Sequence, residues 1–261
     1  MIRRDTYRSA ACASMIAVSA AVLAAATPPA LATDISDRSD RTFPDAEWAS
    51  DYRSWLSTAP LILASADVSQ IYVDAPPGRE ETKREVRVLV RMRALRAQRS
   101  AEIVRQIADE STDFERVLGF RLADAPELDD VIRTMMHDTL ILVARHKKHF
   151  SRARPRHVSE AVAPLIPPPG HPAYPSGHAT QAYVVAYLLA QKIPSCRAGL
   201  LRVARRIAVN REIAGVHFPS DTAAGVQLAR TLVRLFTSVT KFKARIDRTA
   251  LPRHHACESP S

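Results

Sequence analysis

Lys147, Arg154, His178, Arg211, His217 and Asp221 are the residues whose types and spacing could carry phosphoryl chemistry, and they fall in three short blocks. The blocks read Lys147-x6-Arg154-Pro155, Pro175-Ser176-Gly177-His178 and Arg211-x5-His217-x3-Asp221. Two guanidinium groups and an ammonium can surround an oxyanion with many donors. One histidine can attack phosphorus while a second protonates the leaving oxygen. Asp221 follows His217 closely enough to bind one ring nitrogen and leave the other free.

The local sequence says how these groups would be held. Pro175-Ser176-Gly177-His178 stands just before an apolar run, so Ser176 suits a helix N-cap and Gly177 lets the backbone approach an anion. Pro219 suits the first position of a last helix, which puts His217 just before it and Asp221 in its first turn. Lys147 and Arg154 are expected on one helix face, about 10 Å apart along the axis, closing on one anion. Arg211 is expected to clamp non-bridging oxygens, and Asn210 beside it to lend an amide N–H. Lys148 and Arg152 are expected to face solvent.

Taken together, the blocks resemble the type 2 phosphatidic acid phosphatase superfamily, whose motif is K-x6-RP, then PSGH, then SR-x5-H-x3-D. That group includes bacterial non-specific acid phosphatases, glucose-6-phosphatase-like membrane enzymes and vanadium haloperoxidases. Asn210 is the one departure, standing where serine is usual. The intervals, 19 residues between the first two blocks and 31 between the second and Asn210, suit the family. The resemblance implies His217 as nucleophile, His178 as general acid, Asp221 as orienting carboxylate, and Lys147, Arg154, Ser176, Gly177, Asn210 and Arg211 as phosphate ligands. It implies a soluble acid phosphatase of the class A type, acting on phosphomonoesters through a phosphohistidine. The departure of Pro172-Ala173-Tyr174 from the usual G-S-Y before PSGH leaves the subclass open. A vanadium-dependent haloperoxidase, whose vanadate mimics the phosphoryl transition state, is the alternative. A non-catalytic phosphate-binding protein is a third reading, which would not need a paired His and Asp.

The elements that must position these residues read as helices. Glu80 to about Asp109 has strong helix formers and neither Pro nor Gly, so one long helix is expected. A second runs from about Pro126 to Arg152, stopped by Pro155. Residues 155–175 hold seven prolines and read as a loop. Helices follow at about Gly177–Gln191, Arg197–Ala214 and Pro219–Lys243. With no alternating strand pattern, the fold class is all-α, a single compact helical bundle, and the resemblance implies the acid phosphatase/vanadium haloperoxidase type. Residues 33–78 are read as an irregular N-terminal segment, 79–245 as the helical phosphatase domain and 246–261 as a C-terminal tail.

Residues 1–32 read as a cleaved signal peptide, with Arg3, Arg4 and Arg8 before apolar Ala10 to Ala26 and an Ala30-Leu31-Ala32 cleavage site, an uncleaved membrane anchor and a twin-arginine signal being the alternatives. A periplasmic or secreted enzyme is therefore expected. The apolar run Ala182 to Ala190 falls far short of the ~20 residues a membrane-spanning helix needs, so no stable span is expected after signal removal. Cys12 would leave with the signal, and Cys196 and Cys257 are either bridged or free thiols. The net charge of +10 is compatible with nucleic acid, anionic membrane or phosphorylated partners. The arginines between Arg84 and Arg105 interleave with apolar residues at helical spacing and read as a solvated face. No nucleic-acid module accompanies them, so a small phosphorylated substrate is the expected partner, with homo-oligomerisation left open. His146 and His149 lack a carboxylate or cysteine at ligand spacing, so no metal and no cofactor are assigned. His254-His255 reads as a non-functional part of the tail.

Overall fold

The computed structural model describes residues 41–64, 71–252 and 257. The expected signal peptide with Cys12, and His254-His255, lie outside the described residues. Ten α-helices and no strand occur among the described residues: α1 (Ser50–Ser57), α2 (Arg79–Met92), α3 (Arg96–Ala108), α4 (Ser111–Leu118), α5 (Pro126–Phe150), α6 (Pro155–Val158), α7 (Gly177–Lys192), α8 (Arg197–Ile213), α9 (Pro219–Ser238) and α10 (Thr240–Arg248). The all-α expectation holds.

The centre of the bundle is α7, which packs against α5, α8 and α9. Its buried residues include Ala179, Ala182, Val184, Ala186, Leu188 and Leu189, so it is apolar nearly all round, as an enclosed helix must be. Small residues let α9 come close. A Cβ on Gly225 would lie 2.8 Å from the Ser176 carbonyl oxygen and 3.0 Å from the Ala179 Cβ. Leu228 and Leu232 of α9 are fully buried, and each such leucine contributes about 1.5–3 kcal/mol relative to exposure. The chemistry of the second and third blocks is thereby fixed to a rigid helix pair. None of the described helices is long and apolar enough to cross a membrane.

Several boundaries differ from the sequence reading, each for a tertiary reason. The expected helix from Glu80 to Asp109 is broken by a 3₁₀ turn at Arg93–Leu95. At that break Arg96 donates to the carbonyls of Ile213, Ala163 and Val162, which re-aims α3 along α8. Helix α5 ends at Phe150, because Ser151 adopts a left-handed conformation (φ 45°), and Pro155 starts α6 instead of stopping a helix. The loop expected over 155–175 therefore contains α6 and a 3₁₀ turn at Glu160–Val162. The last expected helix breaks at Val239, and α10 runs beyond residue 245 into the expected tail. It folds back so that Phe242 meets Phe236, ring centroids 6.3 Å apart.

The N-terminal segment is not wholly irregular, since it carries α1 and a 3₁₀ turn at Asp45–Glu47. It is pinned to the bundle by Asp138, whose carboxylate accepts the N–H groups of Leu61, Ile62 and Leu63 at 2.6, 2.8 and 3.0 Å. Cys196 and Cys257 form a disulfide, Cα atoms 5.0 Å apart, tying the chain end to the start of α8.

Candidate active site

Four local structures converge. The last turn of α5 supplies Lys147, and the left-handed turn at Ser151 carries the chain on to Arg152 and Arg154. The start of α7 supplies Ser176, Gly177 and His178, the end of α8 supplies Arg211, and the entry to α9 supplies His217 and Asp221.

His217 is held in one tautomer. Arg154 Nη1 lies 2.9 Å from His217 Nε2, and a guanidinium can only donate, so Nε2 is the ring's lone-pair nitrogen. The proton then sits on Nδ1, which donates to Asp221 Oδ2 at 3.1 Å. Burial, and next Arg154, push the His217 pKa well below the usual imidazole range, so the ring is neutral over ordinary pH. It is also enclosed rather than exposed in a surface cleft.

Asp221 is itself immobilised. Its Oδ2 also accepts the Phe218 N–H at 2.8 Å, and its Oδ1 accepts from Arg152 Nη1 at 2.6 Å. Burial pushes this carboxyl up, but Arg152, His217 and the Phe218 N–H together overcome it and hold the group well below the usual carboxylate range. Its backbone carbonyl accepts the Ser176 N–H, which links the entry of α9 to the N-cap of α7.

Arg152 is the main correction at the site. Expected in solvent, it is buried, with Phe218 4.1 Å from its guanidinium carbon, and it bridges Asp221 to Glu85. Glu85 in turn accepts from the Ser220 N–H and hydroxyl. Arg152 was hidden because its partners Glu85 and Asp221 are 67 and 69 residues away in sequence. Lys148 does face solvent, near Asp45 and Trp48.

Lys147 and Arg154 do not share a helix face as expected, because Arg154 lies beyond the end of α5 as the N-cap of α6. They still converge. Lys147 donates to the Pro172 and Ala173 carbonyls at 2.7 and 3.0 Å, so it supports the strap leading into the second block. Arg154 also donates to the carbonyls of His171 and Val216 and to His171 Nδ1. Both are wholly buried: burial, and next Arg154, push the Lys147 ammonium well below the usual lysine range against the pull of Asp221, and burial lowers Arg154 to about 10, still charged at neutral pH. His171 stacks on Tyr52 with ring centroids 3.8 Å apart, and neither residue carried a recognisable signal in the sequence.

Ser176 is the N-cap of α7, its hydroxyl accepting from the Ala179 N–H, as expected. A Cβ on Gly177 would meet only Val143 at 3.7 Å, an ordinary contact, so protein packing alone does not require glycine there. His178 is partly exposed in the first turn of α7. Burial, then Arg211, Arg154 and Lys147, lower its pKa to about 3.

Arg211 is buried, donates to the Ile103 carbonyl, and keeps an Nε with no partner. Asn210 is not available for the anion as expected. Its amide donates to Glu102 and Gln106, and its carbonyl accepts from Arg99, so the side chain is spent on α3. His146 also lies away from this cluster, its ring nitrogens against the Leu142 and Ile71 carbonyls.

Residues 132–245 match the PAP2 superfamily, a span that includes all three blocks. An acid phosphatase of Zymomonas mobilis subsp. mobilis is 28% identical over 114 residues, 41% of this chain and 42% of that protein. A decaprenylphosphoryl-5-phosphoribose phosphatase of Mycobacterium tuberculosis is 33% identical over 96 residues, 36% of this chain and 50% of that protein. The chain thus spans half or less of the length of these curated relatives. A solved bacterial vanadium-dependent iodoperoxidase superposes with a TM-score of 0.51 at 15% identity, covering 67% of this chain and 54% of that one. That likeness is one of fold.

Proposed function

With a PAP2 superfamily domain over residues 132–245 as the premise, we propose that the protein is a phosphomonoester phosphatase working through a phosphohistidine on His217. One observation carries this reading. Lys147 and Arg154 are buried beside one carboxylate, Asp221, which is already committed to Arg152 and His217, and Arg211, buried with Glu110 and Glu102 as its nearby carboxylates, adds a third basic group next to His178. Buried charge without a counterion is costly, and a bound oxyanion relieves that cost.

A phosphate ester would sit with its non-bridging oxygens against Arg154, Arg211 and the N–H groups of Gly177 and His178, which the first turn of a helix leaves without intrahelical acceptors. Arg154 then exchanges its bond to His217 Nε2 for one to the ligand. The Nε2 lone pair attacks phosphorus, the phosphorus–oxygen ester bond breaks, and its electron pair passes to the leaving oxygen. His178 protonates that oxygen, so an alcohol departs. Asp221 accepts from Nδ1–H throughout and stabilises the cationic ring. A water then gives a proton to His178 and attacks phosphorus, and the phosphorus–nitrogen pair returns to Nε2 with release of inorganic phosphate. The positive charge needed by the transition state comes from the three buried cations, which supports catalysis without a metal.

His178 has a low pKa in the empty site, so the anion itself must load the acid. A dianion beside the ring raises its pKa and delivers the proton where the reaction needs it. The basic and apolar pattern of residues 1–32 and the Cys196–Cys257 disulfide support export to an oxidising compartment, which cell fractionation tests.

The deciding experiment is rapid alkaline quench with labelled p-nitrophenyl phosphate in the presence of chelator. Wild type should trap acid-labile phosphate and His217→Ala none. Equal labelling of the variant would remove His217 from its role. His178→Ala should damage an alkyl phosphate far more than p-nitrophenyl phosphate, whose phenolate needs little protonation; equal damage would mean that His178 only binds.

A further inference from the structure

Beside the candidate active site, α3, α4 and α8 enclose a second basic cavity of about 760 Å³. Six arginines line it against two carboxylates, Glu102 and Asp113, leaving four positive charges in excess. The carboxylates are shared. Glu102 accepts from Arg206 at 2.7 Å through both oxygens and meets Arg99 at 3.2 Å. Asp113 meets Arg105 at 2.6 Å and Arg116 at 3.6 Å. These pairs hold four guanidinium groups in place while using only one or two of the five donors on each. Arg202 and Arg205 are exposed and have no carboxylate partner among the described residues.

The inner wall is rigid. Asn210 is fixed between Arg99, Glu102 and Gln106, so the residue that departs from the family's serine braces two residues of the cavity wall from behind. From the sequence, the α3 arginines read as a solvated face. The structure instead turns them onto arginines of two other helices. A volume of this size suits a small ligand.

We propose that this groove is a second anion site, independent of the catalytic cradle, for a compact ligand carrying two or more phosphate groups. Guanidinium forks match phosphate oxygens in pairs, and an excess of four charges matches two phosphate dianions.

Methylenediphosphonate, which phosphatases cannot cleave, is the probe. Calorimetric titration of wild type should show one molar equivalent more binding than Arg202→Glu/Arg205→Glu, whose sites are exposed and outside the catalytic cluster. The same variant should turn over p-nitrophenyl phosphate within about twofold of wild type. Arg84→Glu/Arg87→Glu on α2, with the same charge change elsewhere, should bind as wild type does. Unchanged stoichiometry in the groove variant, or equal loss in the α2 control, would overturn the proposal. Vesicles bearing a bis-phosphorylated lipid headgroup, run beside zwitterionic vesicles, then name the source. Capture that depends on Arg202 and Arg205 assigns a lipid headgroup, and no capture assigns a soluble ligand.

Discussion

The cradle and the groove are both arginine-rich and share the end of α8, where adjacent residues part: Arg211 serves the cradle and Asn210 the groove. They differ in burial and in pairing. Arg154 and Lys147 are 0% exposed, whereas Arg116 and Arg206 of the groove have side chains 61% and 54% exposed. Asp221 of the cradle is committed to His217 and Arg152, while each groove carboxylate is divided between two arginines. Burial of the rings themselves, and next the field of the buried cations, hold two histidines neutral in the cradle. Water and salt screen the groove. The first arrangement can polarise a reacting phosphorus, whereas the second can only bind.

The largest expected effect is on the cradle. His217→Ala should lower kcat by at least ~10³-fold, with circular dichroism confirming that the helices persist. Retained activity would shift the chemistry elsewhere and dissolve the contrast. Next come the supports of the nucleophile. Asp221→Asn should cost about 10²–10⁴-fold in kcat with a smaller change in KM. Arg152→Gln should destabilise the fold by about 3–5 kcal/mol, because Glu85 and Asp221 are left as buried charges. Denaturant melts measure this, and a near-native midpoint would mean that Arg152 is only packing.

A pH series sharpens the comparison further. His178 has a folded pKa of about 3, below the ordinary imidazole value of about 6.5, and His217 shifts in the same direction. The unfolded chain therefore binds more protons in that window, so stability should fall as pH drops from about 6.5 toward 3. Phosphate should offset the loss, since an anion in the cradle raises both pKa values. Thermal melts across pH with and without phosphate would show it, and an unchanged melting temperature would mean that the ring sites are already solvated. The smallest effect concerns salt. Raising ionic strength should weaken diphosphonate binding in the groove more than it raises KM, because only the groove charges face water.

Much of the site was legible because it is local. Ser176 as N-cap and Pro219 at the start of α9 depend on residues within one helical turn, and both stand as read. His217 and Asp221 meet because four positions span about one turn at a helix entry. The misses are long-range. Arg152 and Lys148 look alike in sequence, and only packing buries one and leaves the other in water. The breaks at Arg93–Leu95 and Val239 carry neither Pro nor Gly.

By itself, then, the sequence determined the helical class and the residue types that meet an oxyanion. Periodicity, capping and short spacing act over a few residues and need no knowledge of the fold. Tertiary structure alone decided the tautomer of His217, the role of Arg152, the turning of Asn210 toward α3 and the closing of a basic groove. Each depends on burial or on a partner distant in the chain, and those are set only when α7 is enclosed and the helix ends meet around it.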